Sequence, residues 1–570
     1  MARLTSIILF SVMLSACAAP SPSAQSPGGG QPQVSTPAAP KIMVAAISED
    51  PKNLWDGING GGGSGAREIG HLVNQYLAIL KVDGTPEPRL LAELPSVDKG
   101  TWNINADGTM EVTYKLRSGV TWHDGTPFSA DDVVFSWRVG KDAAIPNGNQ
   151  SAVRLIKDVV AVDPQTAVMS WSATYPFADR LEHRELYPLP AHILGDAYAN
   201  AKEAFTSQPY FNDEYIGLGP FKLAKWDHGS SIDLVANDAY FLGRPKLDRM
   251  RIMFITDPNT VLANLRAGGL NIFFPPGGPR YEGYQPLKDE WASNKRGQIL
   301  NESVRWTMAE IQKSALAQPA DLTDARVRQA LLMAINRPEL AQTVYGADGQ
   351  AADSWLHPRL AYYAQIKDTI AQYPYDARRA QAQLAEVGWT PGPDGVLQKG
   401  GQRFQIDLTY TSDAATANIV RDNWKAIGVD TSLSELTPFQ LRDAQARASY
   451  TGGDITSNPL GGLSAVRRFA SEQTPTAANR YAGTNRGSFS NPDWDSIGER
   501  MRFAVVDDER IQLEGQLLRV FSANLPGLPL YFELQSVPVT GITGVQPIVG
   551  VAHTGNIMHT PDAHLWDVGP

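Results

Sequence analysis

The pattern of apolar and polar positions changes from strand to helix within residues 114–138. Residues 114–122 have the composition of a strand, and residues 124–127 have that of a turn. Ser129 then stands at an N-cap position, with Asp132 three residues later and an apolar stripe behind it. This stretch predicts a strand, a turn and a helix in succession.

The same pattern continues through the rest of the chain. Residues 41–48 are a short apolar run typical of a buried first strand, and residues 66–80 predict a helix. Later helices cover residues 327–335, extend from the cap Asp376 to Gly388, and end at Gly428. Because residues suited to strands follow each helix, the sequence predicts an α/β fold.

Size and charge narrow the class of protein. With 570 residues, 42% of them hydrophobic and 19% charged, the chain exceeds what one core usually serves, so we expect more than one lobe. Acidic residues outnumber basic ones 60 to 50. Since no basic field is present, nucleic acid is not an expected partner.

The amino terminus predicts export and lipid attachment. Residues 1–16 have the features of a signal peptide, and they precede Cys17, the only cysteine. The residues before Cys17 look like a lipobox, and the alternative is an ordinary signal peptide with an incidental cysteine. Residues 17–40 carry no charge and predict a disordered, lipid-anchored tether. We therefore expect an extracytoplasmic location, in the periplasm or on the outer face of the cell membrane.

Motifs for catalysis are missing from the sequence. There is no nucleophile elbow, zinc-protease motif or phosphate loop, so neither an enzyme nor a cofactor is expected. The glycine run at residues 60–63 lies too far from the first strand for a dinucleotide fingerprint. It is either an anion-binding loop or, more simply, a connector. The acidic pairs Asp131-Asp132 and Asp507-Asp508 are interpreted as helix starts.

Three histidines near the carboxyl terminus raise the question of a metal. His553, His559 and His564 accompany Asp562, and imidazole is a good ligand for nickel or zinc. Their spacing does not match a structural cage. We therefore expect solvated terminal histidines and no metal site.

The sequence of residues 114–138 resembles the signature of the bacterial extracellular solute-binding proteins of the peptide, nickel and oligosaccharide class (family 5). Further blocks follow the family's order, and His123-Asp124 belongs to the family's turn, where a structural role is expected. These blocks are residues 72–94, 216–254, 324–337, 375–389 and 491–531.

The resemblance implies a two-lobe periplasmic-binding-protein fold of class II type, with an additional subdomain and a hinge of two crossing strands. The crossings are expected near residues 303–310 and 529–534. The implied division is lobe I at residues 41–80, 206–305 and 532–570, the extra subdomain at 81–205, and lobe II at 306–531.

Candidate ligand contacts follow from this plan. Glu49, Asp50, Asn53 and Trp55 leave the first strand, where open α/β sheets present ligands. Trp306 and Tyr531 lie at the two expected crossings, and each is either a ligand contact or a core aromatic.

The resemblance adds a carboxylate to these candidates. Peptide-binding relatives hold the ligand's amino terminus with an aspartate, commonly just after a tryptophan. In residues 450–458, Asp454 is available and Asn458 is a further candidate contact, but the tryptophan is missing. That departure leaves the peptide ligand open to question.

The implied function is that of the capture subunit of an ABC importer. The expected protein is a monomeric, lipid-anchored lipoprotein that encloses a peptide between its lobes and delivers it to ABC permease subunits. An oligosaccharide or a metal chelate is the next expected ligand. From other classes, a surface-anchored hydrolase and a sensory or adhesive lipoprotein remain alternatives.

Overall fold

The computed structural model describes residues 39–55, 65–82, 84–146, 151–182, 185–274, 281–411, 413–548 and 558–569. Residues 40–570 form one compact unit. The predicted signal peptide, Cys17, almost all of the predicted tether, the glycine run at 60–63 and His553 lie outside the described residues.

The described residues contain 21 strands. In chain order they are β1 (Ile42–Ile47), β2 (Ala78–Leu80), β3 (Pro86–Pro88), β4 (Trp102–Ile104), β5 (Met110–Lys115), β6 (Ile156–Asp163), β7 (Thr166–Trp171), β8 (Phe221–Asp227), β9 (Ser231–Ala236), β10 (Arg249–Phe254), β11 (Ile272–Phe273), β12 (Gly297–Ile311), β13 (Thr390–Pro391), β14 (Leu397–Lys399), β15 (Gln402–Arg403), β16 (Gln405–Tyr410), β17 (Asp430–Glu435), β18 (Gly453–Pro459), β19 (Gly527–Thr540), β20 (Ile542–Thr543) and β21 (Asp567–Val568).

The described residues also contain 16 α-helices, together with short 3₁₀ turns. The helices are α1 (Ala66–Val73), α2 (Ala130–Lys141), α3 (Ser151–Leu155), α4 (Ala191–Asn200), α5 (Pro258–Ala267), α6 (Tyr281–Asn294), α7 (Ala325–Met333), α8 (Arg337–Tyr345), α9 (Tyr363–Ile366), α10 (Ala377–Glu386), α11 (Ala414–Ala426), α12 (Pro438–Arg442), α13 (Ala444–Ala448), α14 (Gly462–Phe469), α15 (Pro492–Phe503) and α16 (Asp507–Asn524).

A ten-stranded mixed sheet runs through the molecule in the order β17-β16-β18-β12-β19-β11-β1-β10-β9-β8. Its two long central strands, β12 and β19, pair antiparallel along almost their whole length. The first half of β12 runs beside the strands of the first lobe, and its second half pairs with β18 of the other lobe. Register shifts occur between Ser303 and Arg305 and between Thr307 and Met308. These two crossing strands are the connection between the lobes.

A separate four-stranded antiparallel sheet, β4-β5-β7-β6, is covered by α2. Its own hydrophobic cluster is built mainly from residues 77–186. Two other hydrophobic clusters include residues of the crossing strands, one centred on residues 309–455 and another on residues 460–521. Separate cores of this kind are expected for a chain of this length.

Several predicted elements are confirmed. Ser129 and Asp132 form a capping box at the start of α2, in which Ser129 N donates to Asp132 Oδ2 over 3.0 Å. Asp376 caps α10, and the acidic pair at 507–508 opens α16. His123 is structural, since its ring nitrogens lie 3.1 Å from Gly217 N and 3.0 Å from Gly219 O.

The helix predicted over residues 66–80 is wrong in its second half. α1 ends at Val73, and residues 78–80 form β2 instead. The chain turns there because Gly219 N donates to Val73 O over 3.1 Å. Gly217 lies so close that an added Cβ would stand 1.9 Å from Val73 O, so this approach requires glycine.

The strand predicted over residues 114–122 is also too long. β5 ends at Lys115, after which the backbone bonds to other segments. Leu116 N donates to Gln165 O and Arg117 N to Leu90 O, each over 2.7 Å. Tertiary hydrogen bonds therefore replace the ladder that the apolar pattern suggested.

Across the described residues, no helix has both the length and the apolar character needed to cross a membrane.

Candidate ligand-binding site

A cavity of about 270 Å³ lies between two distant parts of the chain. One wall comes from residues 80–86 and 177–180, beside the small sheet. The other wall comes from residues 361–365, 461–464 and 501–514. A concave site between separate parts of a fold is where ligands commonly bind.

Charged side chains on the rim of this cavity are paired with one another. Arg180 Nη2 donates to Asp507 Oδ1 over 3.1 Å, and Arg510 also pairs with Asp507. The guanidinium carbons of Arg180 and Arg510 lie 5.5 Å and 4.9 Å from the centre of the Phe177 ring. Burial lowers the pKa of Arg510 to about 10, so it stays charged at neutral pH. This group joins the two walls.

Glu514 is the most deeply buried ionisable residue on the cavity wall, with 4% of the residue exposed. Trp355 Nε1 donates to Oε1 over 2.7 Å, and the Tyr362 hydroxyl donates to Oε2 over 3.2 Å. Burial raises the pKa of Glu514. Sequence reasoning missed this residue. The signal for it is an acidic side chain on the same face of α16 as the buried Leu517 and Leu518.

The first group of predicted contacts, after β1, serves mainly to hold local structure. Asp50 accepts from Trp226 Nε1 over 2.9 Å and from Gly229 N over 2.7 Å, which ties it to the β8–β9 hairpin. Asn53 Oδ1 accepts from Trp55 N over 3.0 Å. Trp55 is 1% exposed and stacks on Phe211 with ring centres 5.0 Å apart. Glu49 is exposed.

The predicted contacts at the crossings are buried as well. Trp306 packs edge-on against Phe521 with ring centres 5.9 Å apart, and it faces Asn458 across the β12–β18 ladder. The Tyr531 hydroxyl donates to Asp413 Oδ2 over 2.5 Å and lies 2.9 Å from Thr416 Oγ1. In this structure both aromatics are core residues.

Asp454 lies at the beginning of β18, opposite Glu310. β18 pairs with the crossing strand β12 along its whole length, and its other end, Pro459, faces Arg305. At about 3.3 Å per residue, Asp454 is roughly 17 Å from that end. Thr409 Oγ1 donates to its carboxylate over 2.9 Å, and burial raises the pKa of Asp454 to about 6.

None of the eight predicted contacts is among the residues that line the cavity. Trp306 and Asn458 are paired in the structure, and the four candidates after β1 lie in one segment. The two groups do not line a common cavity among the described residues. Their contacts with a ligand stay predictions.

The expectation of solvated terminal histidines is wrong for His559 and His564, which are 6% and 7% exposed. His559 Nδ1 lies 2.7 Å from Glu68 Oε1, and Nε2 lies 2.7 Å from Glu302 Oε1. Burial lowers the pKa of His559, but the two carboxylates outweigh it and raise this pKa to about 10. His559 is therefore an imidazolium held between α1 and the crossing strand β12.

The described residues contain no group of three or more metal-ligating side chains that could hold an ion. His559 uses its two nitrogens for carboxylates on opposite sides of the ring, which leaves neither free for a metal. Burial lowers the pKa of His564 to about 4, so this second histidine is neutral at physiological pH.

Two lobes joined by two crossing strands, with a ligand-sized cavity between distant parts of the chain, define a solute-binding protein. The family profile of the bacterial extracellular solute-binding proteins, family 5, matches residues 94–464, which is more than half of the chain. The protein belongs to this family.

Individual relatives agree with this assignment. The chain is 29% identical over 333 residues to the oligopeptide-binding protein AppA of Bacillus subtilis, covering 57% of this chain and 58% of AppA. It is 26% identical over 461 residues to heme-binding protein A of Haemophilus influenzae, covering 77% and 79%. The solved structure of the ABC transporter substrate-binding protein CtaP of Listeria monocytogenes superposes with a TM-score of 0.70 at 20% identity, covering 92% and 99%.

Proposed function

We propose that the protein is the ligand-capturing subunit of an ABC importer and that it binds a peptide in the cavity between its two walls. Membership of the family and the likeness to an oligopeptide-binding protein support this function. The observation that carries it is the cavity itself, because its walls come from segments as distant in sequence as residues 80–86 and 501–514. A ligand that contacts both walls stabilises the conformation in which the two walls are close together.

The proposal includes the cellular setting. The protein binds its ligand without turnover, acts as a monomer, and passes the ligand to permease subunits outside the cytoplasm. A lipid on Cys17 and a tether over residues 17–40 hold it to the membrane. We also propose lobe I at residues 41–80, 206–305 and 532–570, an extra subdomain at 81–205, and lobe II at 306–531.

The first experiment identifies the ligand. Protein purified gently and then denatured is analysed by mass spectrometry for released small molecules. Thermal shifts against panels of peptides, oligosaccharides and nickel chelates provide the second measurement. A ligand at a hundred times its dissociation constant stabilises the folded form by about 2.7 kcal/mol. Recovery of peptides supports the proposal, and recovery of a chemically altered ligand contradicts binding without turnover.

A matched pair of substitutions tests the cavity. Ala361 lines it, whereas Ala364, also exposed and three residues later, does not. We expect Ala361→Trp to fill the space and weaken peptide binding at least about tenfold, which is 1.4 kcal/mol. Ala364→Trp is expected to leave affinity unchanged. Isothermal titration calorimetry decides, and equal affinities in both variants contradict the cavity as the site.

A further inference from the structure

We propose that Phe177, Arg180, Val505, Asp507 and Arg510 form a latch, a set of contacts that holds the two walls of the cavity together and requires no ligand. The latch rests on the proposed ligand-capturing function for its consequence and adds a regulation to it. It sets what fraction of the unliganded protein has its walls in contact, and how fast a bound ligand leaves.

The two halves of the latch are anchored in different hydrophobic cores. Ala178 and Leu181, beside the first half, are buried in the cluster of the small sheet. Leu513 and Leu517 of α16, beside the second half, are buried in the cluster centred on residues 460–521. Val505, just before α16, reaches across and packs against the cluster of the small sheet. The walls can therefore separate only if the contacts between these two cores break.

Charged side chains make the other contacts from wall to wall. Arg180 Nη2 donates to Asp507 Oδ1 over 3.1 Å, and Arg510 Nη1 donates to the carbonyl of Pro176 over 3.3 Å. The guanidinium carbon of Arg510 also lies 4.9 Å from the centre of the Phe177 ring. Arg180 and Arg510 are only 7% and 8% exposed, so both guanidinium groups are largely shielded from water while the walls touch.

Opening of the latch leaves each guanidinium with a carboxylate on its own wall. Arg180 donates to both oxygens of the adjacent Asp179, over 2.7 Å and 2.8 Å. Arg510 pairs with Asp507 on its own helix and donates to the carbonyl of Ala504 over 2.9 Å. Since no buried charge loses its last partner when the walls separate, the latch can open and close reversibly.

A latch of this kind biases the conformation of the protein without fixing it. The side chain of Asp507 is 54% exposed, and an ion pair that is open to water contributes little. A small contribution changes the ratio of the closed conformation, with the walls in contact, to the open one. Because a ligand that needs the closed conformation binds in proportion to its population, loss of the latch weakens binding by up to the same factor.

The test measures the distance between the walls in the full chain. Cys17→Ala removes the only cysteine, so Val162→Cys on β6 and Arg519→Cys on α16, both at exposed positions, can carry spin labels. Double electron–electron resonance then gives the closed and open populations. We expect Asp507→Asn to lower the closed-to-open ratio of the unliganded protein about threefold, as suits a partly exposed ion pair. Asp508→Asn makes the same change at the next exposed residue, outside the cavity, and should leave the ratio unchanged.

Two further variants test the contact itself. Arg180→Met removes the partner from the opposite wall. If Arg180 and Asp507 act through each other, the double variant with Asp507→Asn opens no further than either single variant, whereas additive effects contradict the contact. Arg510→Met removes the contacts with Phe177 and Pro176 and should open the protein more than Asp507→Asn does. Thermal unfolding of Asp507→Asn is expected to match that of Asp508→Asn, which excludes misfolding as the cause.

The outcomes separate failure of the latch from failure of the proposed function. If Asp507→Asn and Arg510→Met leave the unliganded distances as they are in Asp508→Asn, the latch is wrong, whatever the protein binds. If both variants open the protein but the parent binds no peptide, the latch stands and the proposed function fails. Stopped-flow measurements with a binding peptide should show dissociation about threefold faster from Asp507→Asn, with association no slower. Slower association together with unchanged distances contradicts the latch, because Asp507 then acts by touching the ligand.

Discussion

Replacement of His559 by glutamine is expected to destabilise the protein strongly. Glu68 and Glu302 are 3% and 0% exposed, and the protonated imidazole lies between them. Without it, two buried carboxylates face each other with no cation. Removing one member of a buried charge group costs about 3–5 kcal/mol, and we expect a loss of this size in the free energy of unfolding.

The stability lost in His559→Gln is expected to depend on pH. The folded-state pKa of His559 is raised from its usual 6.5 to about 10. The stabilisation by the imidazolium is therefore complete below about pH 6.5 and is lost as the pH rises towards 10. The difference in stability between the parent and His559→Gln should shrink across that interval.

His564→Gln is the matched control. His564 is equally buried and lies in the same terminal segment, but it is neutral because burial lowers its pKa to about 4. We expect it to cost about 1–2 kcal/mol, as packing changes commonly do, and this cost should not vary between about pH 6.5 and 10.

Urea denaturation followed by tryptophan fluorescence, at about pH 6 and about pH 9.5, measures these differences. The reasoning is refuted if His559→Gln costs no more than His564→Gln at the lower pH, or if its cost is the same at both. Either result would mean that the buried histidine is not a charged link between α1 and β12.

Two further predictions concern residues singled out from the sequence. Burial raises the pKa of Asp454 from 3.8 to about 6, so the charged carboxylate opposes folding at neutral pH. Asp454→Asn should therefore stabilise the protein by on the order of 2–3 kcal/mol near pH 7.5. This gain in the free energy of unfolding should vanish as the pH falls towards 3.8. If Asp454 holds the amino terminus of a peptide, as the resemblance implies, calorimetric titration of Asp454→Asn should show at least about a tenfold loss of peptide affinity, and unchanged affinity would remove Asp454 from the candidate contacts. Cys17→Ala should release the protein from the membrane fraction of cells, and full retention would contradict the lipid anchor.

Local sequence was sufficient wherever a structure depends on residues within one turn of each other. The capping box of Ser129 and Asp132, the cap Asp376 and the helix start at Asp507 were predicted because donors, acceptors and apolar stripes lie a few residues apart. The family, and with it the two-lobe plan and the two crossing strands, followed from ordered motifs along the chain.

The tertiary structure alone decided where the buried charges meet. His559 contacts carboxylates 491 and 257 positions away, and its spacing to neighbours in sequence suggested only solvated histidines. Glu514 receives its donor from Trp355, 159 positions earlier. The pKa and role of such a group depend on burial and on partners brought together by packing. Residues near in sequence do not determine this burial or these distant partners. The pKa and role of such a group could therefore be recognised only in the folded structure.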